Sequence, residues 1–490
     1  MVFRPTSEEG IGAAGNASRL APHASPPFPD IGLYEIRQKI YPRAVTGIFA
    51  AWRWAIVWLT QIVFYGVPWL AWNDRQAVLF DLANRKFYIF GLVFWPQDIV
   101  YLTVLLIISA YALFLFTAVA GRLWCGYACP QTVYTEMFLW IERQVEGDRL
   151  ARMKLDQGGS SQRKFRLKLT KHALWIALSL WTGFTFVGYF TPIQTLAAEV
   201  MTRSLGPWET FWVLFYGFAT YGNAGWMREQ VCKYMCPYAR FQAVMFDPDT
   251  LVITYDKERG EPRGSRARKV DPKARGLGDC VDCGICVQVC PTGIDIRNGL
   301  QYECIGCGAC IDGCNQVMAK MSYPAGLIRY STENALKRKY SGKAILRHMI
   351  RPRILIYAGI LVAIISAATI SLYGRVPVKV NVIRDRGSVG HDVSQAEVEN
   401  VYRLRIMNTE ERPHEFRVRV TGLDGIILQS EPQPVRVGPA STRVVPVRVL
   451  APAASGKSGS LRIEFRVETV DTSAQGAPIV VVEKASFLIP

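Results

Sequence analysis

Eight cysteines near the middle of the chain form a repeated pattern. The spacing C-x2-C-x2-C-x3-C occurs twice within 35 residues, between Cys280 and Cys314. Thiolates are soft ligands that suit iron–sulfur clusters, and this spacing is typical of bacterial two-cluster ferredoxins, in which the fourth cysteine of each run ligates the other cluster. The sequence therefore predicts two [4Fe–4S] clusters. The predicted ligands are Cys280, Cys283, Cys286 and Cys314 for the first and Cys304, Cys307, Cys310 and Cys290 for the second.

The residues between these cysteines fit a loop that wraps a cluster. Gly284, Gly306 and Gly308 permit backbone conformations that a β-carbon would resist. Pro291 follows a predicted ligand and favours a turn, because proline cannot continue a helix there. Zinc is the alternative, since C-x2-C pairs also build tetrahedral zinc sites, but eight cysteines in a doubled pattern favour iron–sulfur clusters.

The four remaining cysteines form two C-x3-C-P motifs. Each motif follows an apolar segment, and its cysteines are four residues apart, which puts them on one face of a helix. We take them as the candidate catalytic residues: Cys125, Cys129, Cys232 and Cys236. If the two motifs are neighbours, four thiolates converge. They would suit copper, zinc or a further iron–sulfur cluster, or they would act as redox-active dithiols. The alternative is simple packing, since free cysteine packs well in apolar helices.

Composition places these motifs in a membrane protein in contact with a reducing compartment. The 490 residues are half hydrophobic and carry a formal charge of +17. All twelve cysteines belong to the motifs above, a clustering that argues for metal or redox work rather than scattered disulfides. A basic balance can indicate nucleic acid. Here the positive charge tracks the expected membrane topology, so no nucleic-acid partner is predicted.

Hydropathy predicts about five membrane spans, each near the 20 residues that a bilayer requires. The predicted spans are 54–72, 99–120, 173–190, 208–227 and 354–372. Residues 121–171 carry ten Lys or Arg, whereas residues 191–207 carry only Arg203. Because basic loops stay on the cytoplasmic side, the N-terminus and the ferredoxin module are predicted to be cytoplasmic. Everything after Leu372 is then predicted to lie outside.

The C-terminal region has a different pattern. Segments such as 402–406, 416–420 and 461–467 alternate apolar with mostly basic residues, as half-buried strands do. About 115 residues of this kind predict an all-β sandwich. The region contains no cysteine and no evident catalytic constellation, so docking or spacing is its expected role.

These patterns together predict a multi-domain membrane protein. It would combine an α-helical transmembrane bundle, a bacterial 2[4Fe–4S] ferredoxin-like α+β module and a C-terminal β-sandwich. The predicted boundaries are 1–45 for a disordered cytoplasmic tail without a secretory signal, 46–240 for spans one to four, 241–350 for the ferredoxin module with its core at 275–320, 351–374 for span five and 375–490 for the outer domain.

The chain resembles a known family, the cytochrome c oxidase accessory proteins called CcoG, FixG or RdxA. The resemblance covers nearly all of it beyond the N-terminal tail. Its most specific stretches are 124–134, 232–242 and 280–314. The resemblance implies an immunoglobulin-like fold for the C-terminal domain and residence in a bacterial inner membrane with that domain in the periplasm. It also implies a role in assembling the cbb3-type haem–copper oxidase through reduction of Cu(II) to Cu(I).

Several alternatives stay open at this point. The implied partners are cbb3-type oxidase subunits, copper chaperones or a copper transporter, together with a cytoplasmic electron donor. A second hypothesis is a quinone-linked electron-transfer polyferredoxin serving another reductase, with Trp124, Tyr127, Tyr134 and Tyr238 bordering a quinone pocket. A third is a non-catalytic assembly scaffold whose clusters are structural. A homodimer is compatible with the sequence, which sets no oligomeric state.

Overall fold

The computed structural model describes residues 39–268, 275–338, 350–385, 391–394, 397–452, 459–470 and 478–489. Most of the predicted disordered tail, residues 1–38, lies outside this part of the chain. All the elements below belong to one compact unit, Tyr41–Pro490.

The first half of the chain is mostly helical. Its helices, in chain order, are α1 (Ile48–Gly66), α2 (Ile99–Ala120), α3 (Leu123–Tyr127), α4 (Pro130–Glu146), α5 (Arg149–Gln157), α6 (Gln162–Val187), α7 (Ile193–Thr202), α8 (Pro207–Thr220) and α9 (Pro237–Met245). Two π-helical segments, Tyr221–Met227 and Val231–Met235, lie between α8 and α9. Five short strands separate α1 from α2: β1 (Ala71–Trp72), β2 (Arg75–Gln76), β3 (Val78–Asp81), β4 (Lys86–Ile89) and β5 (Leu92–Phe94).

The second half contains the ferredoxin module, one long helix and a β domain. The module has strands β6 (Val252–Tyr255) and β7 (Ile328–Ser331) and helices α10 (Lys257–Gly260), α11 (Ile285–Gln288), α12 (Ala309–Met321) and α13 (Glu333–Arg338), and α14 (Pro352–Tyr373) follows. The β domain consists of β8 (Val378–Arg384), β9 (His391–Ser394), β10 (Glu397–Asn408), β11 (His414–Thr421), β12 (Ile427–Ser430), β13 (Val435–Val437), β14 (Thr442–Pro452), β15 (Gly459–Thr469) and β16 (Val480–Ile489).

Within the described residues, three helical segments are long and apolar enough to cross a membrane. They are Ile48–Trp69, Pro96–Ala120 and Pro352–Tyr373. The predicted spans 173–190 and 208–227 are also largely helical, but α6 begins with a run of Lys and Arg and α8 has only 14 residues before the π-helical segment. These three helices indicate a membrane protein, and the count of five spans stays a prediction.

The C-terminal domain is a β-sandwich, as the alternating pattern predicted. One sheet has the strand order β12-β14-β10-β8 with β9 also paired to β10, and the other has the order β13-β11-β15-β16. Their facing sides form a core of buried apolar residues that includes Tyr402, Phe416, Phe465 and Phe487. Packing two antiparallel sheets face to face in this way is the architecture of immunoglobulin-like domains.

The ferredoxin module and the β-sandwich lie at opposite ends of the long helices. At one end, the Asp312 carboxylate of α12 accepts hydrogen bonds from the backbone amides of Phe49, at 3.4 Å, and Ala50, at 2.8 Å, in the first turn of α1. Such a carboxylate satisfies amides that have no partner within the helix. At the other end, Arg375 Nη2 lies 3.3 Å from Asp98 Oδ2, which joins the start of the sandwich to the start of α2.

Candidate iron–sulfur site

The structure brings the eight ferredoxin cysteines into two groups that match the predicted ligand sets. The thiol of Cys314 interacts electrostatically with Cys286, Cys280 and Cys283. The thiol of Cys310 interacts with Cys307, Cys304 and Cys290, and more weakly with Cys286. The crossed arrangement therefore exists in space, with each run contributing its fourth cysteine to the other group. Cys283 is exposed, whereas Cys280, Cys286, Cys307 and Cys314 are buried.

The loops around these cysteines adopt the backbone conformations that the glycines predicted. Gly284, Gly306 and Gly308 have φ values of 64°, 68° and 74°. A β-carbon at Gly308 would also lie 2.8 Å from the side chain of Phe49, so the residue is confined by α1 as well as by its own backbone. Asn315 follows Cys314 as Pro291 follows Cys290. Because it is not a proline, α12 continues to Met321. Its Oδ1 accepts a hydrogen bond from Gly326 N at 2.9 Å.

The four motif cysteines outside the ferredoxin module also lie together. The thiol of Cys232 interacts electrostatically with Cys129, Cys125 and Cys236. Both motifs end in the same way: the second cysteine is an extended N-cap, and the proline is the first residue of a new helix, α4 or α9. Cys125 lies in α3 and Cys232 lies in a π-helical segment, and each of these elements ends before the second cysteine. The prediction that the two cysteines of a motif lie on one face of a helix is therefore wrong. Cys125 Sγ lies 3.4 Å from the Gln242 Oε1 of α9, which connects the first motif to the helix that follows the second.

Burial dominates the protonation of these thiols when no metal is bound. It raises the pKa of Cys125 to about 11 and that of Cys232 to about 12, and neighbouring thiols add to both increases. Within the ferredoxin module, burial likewise raises the pKa of Cys304 to about 12. Metal binding requires deprotonated thiols, so a positively charged metal centre must supply the stabilisation that solvent does not.

The first motif is in direct contact with the ferredoxin module. A β-carbon at Gly126, between Cys125 and Cys129, would lie 2.7 Å from the carbonyl oxygen of Gly306 and 2.8 Å from Cys307 Cα. Cys125 and Cys232 pack with Cys307 and Cys310 in one apolar cluster. The predicted ligand set that contains Cys307 and the motif set that contains Cys125 are therefore separated only by a thin layer of backbone and apolar atoms.

Two buried arginines accompany this contact. Arg122 Nη1 donates to Cys304 O at 3.3 Å, and its charge interacts with Cys125 and Cys232. Arg53, on α1, is 8% exposed and faces the thiol of Cys307. Among the described residues, the Nε atoms of both arginines have no hydrogen-bond partner, and both atoms are buried. Cations at these positions stabilise the negative charge of nearby thiolates.

The donor sets of the ferredoxin module fit iron–sulfur clusters better than single ions. Tetrahedral zinc with sulfur at about 2.3 Å needs its four sulfurs about 3.8 Å apart. In the described part of the chain, no group of three or more His, Cys, Asp or Glu side chains is placed to hold one metal ion. A cubane keeps its ligand sulfurs farther apart, so thiols that are grouped but not close enough for one ion suit a cluster.

Comparison with known proteins agrees with this geometry. Residues 227–333 match a family described as a 4Fe-4S dicluster domain, and residues 102–146, which include Cys125 and Cys129, match one described as a 4Fe-4S binding domain. Residues 368–490 match the Ig-like fold at the C-terminus of FixG.

Similar proteins extend over nearly the whole chain. Protein RdxB of Cereibacter sphaeroides is 38% identical over 461 residues, covering 92% of this chain and 96% of the relative. The nitrogen fixation protein FixG of Rhizobium meliloti is 36% identical over 495 residues, covering 94% of each. Protein RdxA of C. sphaeroides is 37% identical over 469 residues, covering 93% of this chain and 98% of the relative.

Fold and site define an iron–sulfur electron-transfer protein of the membrane, with an Ig-like domain at its C-terminus. Within that class, the chain belongs to the FixG/RdxA family. The two iron–sulfur matches support the predicted [4Fe–4S] clusters. The assignment of each cysteine to one of the two clusters stays a prediction, supported by the position of that cysteine in the structure.

Sequence reasoning missed Arg53, Arg122, Gly126 and Asp312. The available signal for Arg53 was a charge in an apolar run, directly before the predicted span 54–72, because a charge there requires a partner. The contact made by Gly126 had no comparable signal, since it joins segments that are far apart in the sequence.

Proposed function

We propose that this protein is a membrane-bound oxidoreductase that reduces Cu(II) to Cu(I) for the copper centre of a cbb3-type cytochrome c oxidase. The observation that carries the proposal is the contact of Gly126 with Gly306 and Cys307, which sets the C-x3-C-P thiols against the ferredoxin module. Copper as the substrate, and the oxidase as the beneficiary, come from the family resemblance.

The chemistry follows from the ligands. A bound [4Fe–4S] cluster supplies one-electron oxidation and reduction at the ferredoxin module. The thiolates of Cys125, Cys129, Cys232 and Cys236 bind copper as substrate, and because soft thiolates prefer Cu(I), they favour the reduced ion. Each Cu(II) gains one electron. Arg122 lies between the two sets of cysteines, where its charge stabilises thiolates on both sides.

The proposed location is a bacterial inner membrane, with the ferredoxin module in the cytoplasm and the β-sandwich in the periplasm. The basic residues between 121 and 171 support this orientation through the positive-inside rule. The proposed partners are cbb3-type oxidase subunits, copper chaperones or a copper transporter.

The test uses the full chain purified without oxygen, reduced with dithionite and freed of excess reductant. Cu(II) is added with a Cu(I)-specific chelator, and the chelate absorbance is followed. We expect a variant with Cys125, Cys129, Cys232 and Cys236 all changed to Ala to reduce copper at least ten-fold more slowly. Undiminished reduction in that variant removes the four thiols from the reaction.

Iron content separates the roles of the two sets of cysteines. Two cubanes correspond to about eight iron atoms per chain, and a third at the C-x3-C-P motifs would raise the number to about twelve. If the four-alanine variant keeps about eight, its ferredoxin module is intact, and the loss of copper reduction is attributable to the motif thiols. Oxidase maturation that persists after both the ferredoxin cysteines and the motif cysteines are removed would favour the scaffold hypothesis.

A further inference from the structure

A large apolar cavity lies between α1 and α2, at the end of these helices nearest the ferredoxin module. Helix α1 packs against α3, α6 and α12, and α2 packs against α3, α9 and α14. The space between them has a volume of about 1020 Å³, and its walls include Trp52, Ile56, Leu113 and Phe116. Trp52 and Phe116 are 62% and 51% exposed, so the cavity opens sideways on the apolar surface that faces the bilayer.

Two tyrosines line the end of this cavity nearest the ferredoxin module. Tyr127 and Tyr330 both contribute to its wall, and their hydroxyl oxygens are 3.4 Å apart. Tyr330 Oη donates to the carbonyl oxygen of Gly306 at 2.6 Å. Gly306 lies between the predicted ligands Cys304 and Cys307, so the polar end of the cavity adjoins the cluster-binding loop.

This combination restricts the ligand to one chemical class. The walls require a molecule that dissolves in the bilayer, the tyrosines require a head group that forms hydrogen bonds, and the adjacent loop favours a group that exchanges electrons. A mostly apolar pocket with a few convergent polar groups is the usual form of a small-molecule site. A phospholipid acyl chain would fill the walls, but it has no polar redox head to meet Tyr127 and Tyr330.

We propose that this cavity binds an isoprenoid quinol, with its ring at Tyr127 and Tyr330 and its tail towards the bilayer, and that the quinol is the electron donor. The inference rests on the proposed function in one respect, namely that Cu(II) is the final acceptor of the electrons. Oxidation of one quinol breaks two O–H bonds and yields the quinone, two protons and two electrons. The electrons pass one at a time to the ferredoxin module and then to two Cu(II) ions, which become Cu(I). The protons leave to solvent on the ferredoxin side.

Photolabelling tests the binding site without reference to copper. The purified full chain in lipid nanodiscs is irradiated with an azido-substituted short-chain ubiquinone, and labelled peptides are identified by mass spectrometry. We expect labels within residues 49–56 and 109–128, and at least ten-fold less labelling in Leu113→Trp, which fills the cavity. Ile107→Trp is the matched control, since Ile107 lies on the same helix, is 48% exposed and does not line the cavity. Labelling spread over the lipid-facing helices, or equal labelling of both variants, overturns the proposal.

Anaerobic reduction tests the electron transfer. The oxidised protein is mixed with decylubiquinol, and bleaching of its visible absorbance is compared with bleaching by dithionite. We expect bleaching by quinol to be at least ten-fold slower in Leu113→Trp and Tyr127→Phe than in Ile107→Trp, with bleaching by dithionite equal in all three. Absence of bleaching by quinol overturns the inference. If the dithionite-reduced protein still reduces Cu(II), the proposed function stands without it.

Discussion

Arg53 shows how one side chain can set the electronic properties of the site. It is a buried cation within α1, and it faces the thiol of Cys307. Burial raises the pKa of Cys307, and the charge of Arg53 opposes that increase. A positive charge beside a predicted cluster ligand stabilises the more negative, reduced form of the cluster, because reduction adds one electron to the same region.

We therefore expect Arg53→Gln to lower the reduction potential of the nearer cluster. A change of about 60 mV for one electron corresponds to about 1.4 kcal/mol, which is a modest value for one buried charge at close range. Redox titration monitored by electron paramagnetic resonance would measure it. Arg53→Lys keeps the charge and should shift the potential by less than half as much. Equal shifts in both variants would assign the effect to altered packing instead.

At the scale of the elements, α3 is one of the connections between the membrane helices and the ferredoxin module. Its Gly126 approaches the Gly306–Cys307 backbone so closely that a side chain cannot be accommodated. Two backbones in contact cannot adjust as a flexible side chain would, so the position requires glycine for space rather than for its φ angle. This contact fixes the position of the first C-x3-C-P motif relative to the cluster-binding loop of the ferredoxin module.

We expect Gly126→Ala to separate α3 from the cluster loop and to slow Cu(II) reduction at least ten-fold. Substitutions that overpack a tight site typically cost about 1–3 kcal/mol, so the variant should still fold. The matched control is Gly222→Ala, since a β-carbon at Gly222 would meet no atom within 4 Å. Copper reduction measured from the dithionite-reduced state, with iron content determined in parallel, makes the comparison. Equal rates in the two variants would show that the contact does not matter for electron transfer.

At the scale of the whole molecule, a buried ion cluster fixes the β-sandwich to the membrane helices. The Asp98 side chain is 3% exposed, forms ion pairs with Arg375 and Lys379, and accepts a hydrogen bond from Trp95 N at 3.0 Å. Trp95 and Val93 pack with Met407 of the sandwich in a small apolar core. The sandwich is therefore held by packed contacts and not only by the covalent connection from α14.

We expect Asp98→Asn to loosen this attachment. Removing one partner of a fully buried ion pair costs about 3–5 kcal/mol. The cost here should be smaller, because the Arg375 and Lys379 side chains are 11% and 26% exposed. Trypsin should then cleave after Arg375 or Lys379 at least ten-fold faster, whereas the cluster absorbance should be unchanged because the ferredoxin module lies at the other end of the helices. Glu431→Gln is the control, since its pair with Arg443 is exposed. Equal cleavage rates in the two variants would mean that the ion cluster does not hold the domain.

Local patterns in the sequence determined the kinds of structure that this protein contains. Cysteine spacing predicted the two ligand sets, since a loop that wraps a cluster is a short-range feature, and Gly284 and Gly306 predicted the positive φ values found there. Alternation predicted the sandwich for the same reason, since strand periodicity is local. Hydropathy predicted five spans, and three of them correspond to helices that are long and apolar enough to cross a membrane. The other two lie in α6 and α8, where charges and a π-helical segment interrupt the pattern.

Only the tertiary structure decided which of these parts meet. The approach of Cys125 to Cys232, the contact of Gly126 with the cluster loop and the cavity that ends at Tyr127 and Tyr330 all join segments far apart in the chain. Such contacts depend on how several helices pack at once, and no residue spacing along one segment encodes that. The sequence by itself therefore indicated the redox chemistry that the chain can host, and the packing of its helices decided which cysteines and cavity walls lie side by side.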